Sequence, residues 1–263
     1  MPFSFSDTFL SLTFIVSFIV TVLYLSTRTQ LFVNIILKKE RSAGSTGILI
    51  MLGGALEVIA SEFGVPFPEG VMADVRIPIT ILFGMIGGPA VGIPVGLIGG
   101  AYRMSGLFWQ GFNGTLGYTF AVAGGLATIG AGLLGSILYR KGIALNGRGK
   151  RDLAYILIVT FLWLLIDIEL ICPLTAPIFS EMSFTESFYV SNRTILLPMV
   201  FSNLFAIVVF SLLLRNIVME EKKKVVLQKL VKKYEELIGP VAGRIAKETA
   251  KEEDYPLEYL KEK

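Results

Sequence analysis

Hydrophobic residues gather in long runs separated by short charged segments, and these runs set the elements. Apolar stretches cover Thr8 to Ser26, Gly47 to Phe63, Ile77 to Ala101, Tyr118 to Tyr139, Leu153 to Ile171 and Thr194 to Leu214. Each lies near the roughly 20 residues that cross a bilayer as a helix. A shorter piece, Leu31 to Leu37, sits between cations and predicts an interfacial segment. The pattern predicts an all-α polytopic membrane protein with five or six transmembrane helices.

The third run differs from the others. It follows Asp74-Val75-Arg76, ends in Ala101-Tyr102-Arg103, and carries Gly84, Gly87, Gly88, Gly92, Gly96, Gly99 and Gly100 with Pro89 and Pro94 between them. Irregular backbone at membrane depth is tolerated only where protein buries it or a wet cavity receives it. Proline lacks a backbone donor and disfavours helical geometry in the residue before it. A break is therefore predicted at Gly87-Gly88-Pro89, making 77–101 a re-entrant hairpin of two half-helices. The competing reading is one continuous helix. Gly84, Gly88, Gly92, Gly96 and Gly100 recur every four residues, the spacing that lets helices pack closely. A straight helix of this length holds its ends ~38 Å apart. The hairpin instead brings Arg76 and Arg103 to one face.

Cation positions bear on the choice. Arg28, Lys38, Lys39 and Arg41 follow the first run; Arg140, Lys141, Arg148, Lys150 and Arg151 follow the fourth; the tail begins at Arg215. Positive loops stay cytoplasmic, which places 28–46, 139–152 and the tail inside, with the N-terminus, 64–76 and 172–193 outside. Only the fourth run can then return the chain inward, so 77–101 begins and ends outside. The straight-helix reading needs six spans and puts 28–46 outside despite its cations. The first run lacks a basic leader and a small-residue cleavage site, and reads as a transmembrane helix.

Composition narrows the chemistry. The chain is 53% hydrophobic with a net charge of +3, and shows no basic surface that would imply nucleic acid as a partner. Its one cysteine, Cys172, excludes an internal disulfide. Histidine is absent, which removes imidazole acid–base chemistry, histidine metal ligands and a phosphoaccepting histidine within this chain. No metal, no cofactor and no catalysis are expected.

The charged residues inside the apolar pattern are the candidates for function. Arg76 and Arg103 offer planar guanidinium forks that match a carboxylate, and a glycine-lined site between them suits a small organic anion. The plainer alternative is that both arginines snorkel at the membrane boundary, with Asp74 neutralising Arg76. Glu57 and Asp167 lie within runs, where acids are functional hypotheses by default. Here they are read as holding the bundle together, with Glu62 and Glu169 at its rim. Gly124, Thr128, Gly132 and Ser136 form a small-residue ladder expected to pack against the hairpin, or else to form a homodimer seam. Phe108, Trp109, Phe112 and Tyr118 read as belt aromatics, with a lid as the alternative. In the tail, Leu227, Leu230, Tyr234 and Leu237 share a helical face up to Gly239-Pro240, suited to a coiled coil or partner helix.

Several segments together resemble the 5TM receptor region of LytS-type sensor histidine kinases, also found on some membrane-bound diguanylate cyclases. They are Arg28-Thr29-Gln30-Leu31-Phe32, Asp74-Val75-Arg76, Gly84-Met85-Ile86-Gly87-Gly88-Pro89, Gly99-Gly100-Ala101-Tyr102-Arg103 and the stretch Gly125 to Gly135. The resemblance divides the chain into an N-terminal helix (1–27), a receptor domain (28–214) and a cytoplasmic helical tail (215–263). It implies an extracytoplasmic receptor in the plasma membrane, binding small carboxylates such as pyruvate in some members. The family's Asn-x-Arg and His-Arg arginines fall on Arg76 and Arg103. Asp74 stands where Asn is usual and Tyr102 where His is usual; Gly124 and Ala127 replace a Cys and a Ser. The ligand contacts expected are Arg76, Arg103, Asp74, Thr128 and Gly88. The chain reads as a sensor without its kinase output. It would signal to a cytoplasmic partner, or as a homodimer through the tail, in a two-component-like system. The alternative function is a solute-binding subunit of a transporter.

Overall fold

The computed structural model describes residues 5–27, 42–66, 72–106, 115–142, 150–179, 182–239, 244–245 and 247–249. Leu31 to Leu37, Phe108, Trp109, Phe112 and Pro240, and the side chains of Tyr118 and Leu237, lie outside the described residues. The described chain divides into two compact units, Met1–Arg215 and Asn216–Lys263.

Among its described residues the first unit is mainly helical, with a short ribbon in which Val65 pairs with Ala73 and Pro66 with Met72. Helix α1 (Phe5–Thr27) buries Ile15, Ile19 and Leu23, four residues apart, while Phe14, Phe18 and Leu25 stay exposed for lipid. Helix α2 (Ala43–Glu62) starts where the Ser42 hydroxyl accepts the Ser45 N–H at 3.2 Å, capping one of the orphan donors of its first turn. Helices α3 (Arg76–Gly87) and α4 (Pro89–Ser105) come next, then α5 (Thr115–Arg140) and α6 (Lys150–Ile166). A π-helical turn at Asp167–Ile171 joins α6 to α7 (Cys172–Phe179). Helix α8 (Phe184–Val190) opens on a capping box between Ser183 and Glu186, and those Ser183 donors hold the Glu186 carboxyl below the usual range. A second π turn, Ser191–Ile195, leads into α9 (Leu196–Ile238).

Four helical segments among the described residues are long and apolar enough to cross a membrane: Ala43–Glu62, Thr119–Arg140, Arg151–Phe179 and Leu196–Tyr234. Helix α1, with 23 residues, is ~34 Å long, enough for a fifth crossing. This is an all-α polytopic membrane protein.

The glycine run is broken, as the proline placement predicted. Gly88 takes φ +65°, ψ −162°, and its N–H closes α3 on the Gly84 carbonyl at 2.8 Å. Pro89 then opens α4 at the position where a missing N–H costs nothing. Neighbours along α5 fix the direction of each arm. On α3, Arg76 lies by Gly124, Thr80 by Gly132 and Gly84 by Gly135; on α4, Gly92 lies by Gly132, Gly96 by Thr128 and Gly100 by Gly125. One arm runs with α5 and the other against it. The two arms therefore form a hairpin, and the single straight helix is excluded. A Cβ on Gly92 would sit 2.6 Å from Gly84 Cα and 2.7 Å from the Gly132 carbonyl oxygen, so glycine is what lets three backbones meet here. All twelve residues of α3 are buried. The ladder of α5 is thus used inside the molecule, against the hairpin.

The fifth run extends further than its apolar pattern suggested. It was expected to end at Ile171, with 172–193 as an outside loop. The structure instead continues helically to Phe179. The Cys172 N–H reaches back to the Asp167 carbonyl in the π turn, and this wider turn accommodates the proline that follows. The sixth run is also longer, because α9 continues unbroken to Ile238, where Gly239 (φ +73°) ends it. In the second unit the helix carries a Glu220–Lys224 pair at 3.7 Å, and Leu230 and Tyr234 are exposed.

Candidate functional site

The open end of the hairpin gathers the charges. Asp74 precedes α3 and does two jobs for it. Its Oδ1 accepts the Arg76 N–H at 3.3 Å, satisfying an orphan donor at the helix start, and its Oδ2 pairs with Arg76 Nε at 2.8 Å. Both side chains are buried, at 3% and 4% exposure. The Asp74 carbonyl in turn accepts Asn203 Nδ2 from α9 at 3.0 Å. Arg76 Nη1 has no hydrogen-bond partner among the described residues, and Nη2 lies where a Cβ on Gly124 would stand 3.2 Å away. Arg103, in the last turn of α4, is 1% exposed and interacts electrostatically with Arg76, Asp74 and Cys172. A buried guanidinium with an unused donor, as Arg76 has, is costly, and Arg76 also lies in the field of Arg103.

Two acids close the cluster from other helices. Glu57 of α2 accepts the Thr80 hydroxyl at 2.5 Å, and Gly99 of α4 leaves the room its other oxygen needs. Asp167, at the start of the first π turn, is 3% exposed and interacts electrostatically with Arg76 and Asp74. Its Oδ1 has no hydrogen-bond partner among the described residues. Cys172, at the end of the same turn, feels both Asp167 and Arg103. Glu57 and Asp167, read from the sequence as holding the bundle together, both sit in the field of Arg76.

The remaining expected site residues separate. Arg76, Arg103 and Asp74 come together. Thr128 is buried one turn along α5 from Gly124, with its hydroxyl donating to the Gly124 carbonyl at 2.6 Å. Gly88 does not join the group. It forms the hairpin tip against the Tyr139 ring, the length of α3 from Arg76, or ~18 Å at 1.5 Å per residue. Its role there is conformational. Glu62 and Glu169 lie toward the periphery, Glu62 taking the Tyr102 hydroxyl and Glu169 the Asn192 amide at 2.9 Å. One contributor escaped the sequence reading: Asn203, which had a signal, a side-chain amide within an apolar run.

Among the described residues no cluster of His, Cys, Asp and Glu could hold a metal ion. What the open end of the hairpin offers is a buried guanidinium with an unused donor, close to Gly124 of α5.

The profile of the family described as 5TMR of 5TMR-LYT matches residues 29–217, which contain this cluster and the whole hairpin. The chain belongs to the 5TMR-LYT family. That makes the matched part a membrane sensor region of the LytS type. No curated protein and no solved structure matches the chain. Within the 5TMR-LYT region, Arg76 and Arg103 sit on the two arms of the hairpin at its open end, while Gly88 marks its closed end.

Proposed function

We propose that this chain is an extracytoplasmic receptor for a small organic anion, a pyruvate-like carboxylate held between Arg76 and Arg103, in the plasma membrane. The observation that carries the reading is the buried Arg76 Nη1, which has no hydrogen-bond partner among the described residues, on a guanidinium in the field of a second buried one. A bound carboxylate supplies the acceptor. Asp74 holds Arg76 by Nε and leaves Nη1 for the ligand. The protein binds the anion and does not convert it, so output passes to a cytoplasmic partner in a two-component-like system. Helix α9 is the element suited to transmit it, because Asn203 bonds the Asp74 backbone and the same helix runs on to Ile238. A ligand shifts such an equilibrium only through different affinity for two states, and an anion that drew Arg76 would strain the Asn203 bond. With the basic loops inside, the tail is cytoplasmic.

The test is calorimetric titration of the purified full chain with pyruvate, lactate and acetate. Removing one partner of a desolvated charged contact costs about 2–5 kcal/mol, so Arg76→Ala and Arg103→Ala should each weaken binding by about 30-fold or more. Unchanged affinity in both variants would remove the site.

A second reading has one observation behind it. A helical hairpin broken inside the bilayer and lining a charged site is also transporter architecture. Pyruvate uptake by proteoliposomes of the full chain, alone or with an energising partner, would favour that reading over a receptor.

A further inference from the structure

Helices α2 and α4 lie side by side and run in the same direction, and their contacts fix the register. A Cβ on Gly53 would meet the Val95 side chain, and one on Gly54 the Ile98 side chain. Further along, a Cβ on Gly99 would meet the Glu57 carboxyl, and Tyr102 bonds Glu62 through its hydroxyl. Ser61 stands one turn beyond Glu57, and Arg103 one turn beyond Gly99, so the two share a level. Side chains on both helices lean toward the N-terminus, which keeps them paired. Ser61 is also on the right face. At about 3.6 residues per turn it falls between Gly54 and Glu57, and both of those meet α4.

Ser61 is 1% exposed, and its hydroxyl has no hydrogen-bond partner among the described residues. Other hydroxyls in this bundle behave differently. Thr128, Ser136, Thr175 and Ser202 each donate to the carbonyl four residues back, the local bond open to any helical hydroxyl. Ser61 forgoes it, and a buried hydroxyl left unpaired is costly. Thr160, Ser187, Ser191 and Ser211 are also unpaired, but they sit elsewhere. Thr160 and Ser211 are about two turns along their helices from Asp167 and Asn203. Ser187 and Ser191 belong to α8 and the π turn after it, and α8 packs on α7. Of these hydroxyls, Ser61 is the one that a fixed register sets beside an arginine.

We propose that Ser61 is the specificity-determining contact of the anion site: it bonds an oxygen on C2 of the ligand, so that the site selects short 2-oxo and 2-hydroxy monocarboxylates. The inference rests on the anion site proposed above. With the carboxylate on Arg76 and Arg103, C2 is the next atom along the ligand, and its substituent meets the groups that flank the guanidiniums. On the α2 side that group is Ser61. A hydroxyl both donates and accepts, so it serves a keto oxygen or a hydroxyl alike. A carboxylate of the same length with a methylene at C2 leaves Ser61 unpaired, and a site with a buried polar group left unpaired discriminates against that analogue.

The experiment is calorimetric titration of the full chain with pyruvate, lactate and propionate, on wild type and on Ser61→Ala. Wild type should bind pyruvate and lactate about tenfold more tightly than propionate. Ser61→Ala should lose that preference, with pyruvate and lactate weakened to the propionate level and propionate affinity unchanged. Propionate thus reports that the variant is folded with its anion site intact. Equal wild-type affinity for pyruvate and propionate would overturn selection at C2. A preference that survives in Ser61→Ala would overturn the assignment to Ser61, and so would an equal weakening of all three ligands, which is the mark of a packing role. Propionate binding that Arg103→Ala weakens keeps the anion site standing whatever Ser61 does. Wild type binding none of the three would overturn that site, and the Ser61 contact with it.

Discussion

The two ends of the glycine hairpin are made from one sequence pattern and do opposite things. At the tip and through the middle, glycine brings backbones into direct contact. Gly84, Gly92 and Gly132 meet where no side chain fits, and Gly88 turns the chain against Tyr139. At the open end the same two arms carry Arg76 and Arg103, and the neighbouring glycines leave room for charged groups instead. Gly124 accommodates Arg76 Nη2, and Gly99 accommodates the Glu57 carboxyl. Tight packing in lipid draws on van der Waals contact between small residues. It fixes the two arms that carry the buried Arg76 and Arg103.

That difference predicts which substitutions a ligand can rescue. The largest effect belongs to the open end. Asp74→Ala leaves Arg76 buried without its counter-ion, and breaking such a pair costs about 3–5 kcal/mol. Saturating pyruvate should restore much of that stability, because the ligand brings a carboxylate to the same guanidinium. Thermal unfolding with and without pyruvate reads both numbers. Next comes the middle of the hairpin. Gly92→Leu drives a side chain into the Gly84 and Gly132 backbones, at the upper end of the overpacking range or about 3 kcal/mol, and pyruvate should restore nothing beyond its ordinary stabilisation of wild type. The smallest effect is at the tip. Gly88→Ala puts a Cβ on a backbone at φ +65°, ψ −162°, a conformation essentially reserved for glycine, at about 1–3 kcal/mol, with pyruvate affinity unchanged. A tip variant that lost ligand binding would erase the distinction between the ends.

Much of this division was legible in the residues. The break followed from Gly88 before Pro89, since that pair combines a residue free to adopt positive φ with one that cannot continue the hydrogen-bond ladder. The convergence of Arg76 and Arg103 followed from cation placement along the whole chain. Gly88 was the misplaced member. A conspicuous glycine looked like a lining residue, and its work proved to be the turn. The helical extension past Pro173 was illegible for a different reason. Proline alone reads as a stop, and only the π turn before it shows how the backbone accommodates it. The register that sets Asn203 of α9 against the Asp74 carbonyl was illegible too, because it depends on packing between distant helices.

The central claim is that Arg76 and Arg103 hold one anion between them. The most direct test is a double-mutant cycle on pyruvate affinity with Arg76→Lys, Arg103→Lys and the double variant. These substitutions keep the charge and remove the planar fork. If one carboxylate spans both guanidiniums, each single variant raises Kd, and the double variant departs from the product of the two by well over the ~0.5 kcal/mol of independent sites. Strict additivity, or an unchanged Kd in either single variant, would contradict a shared site.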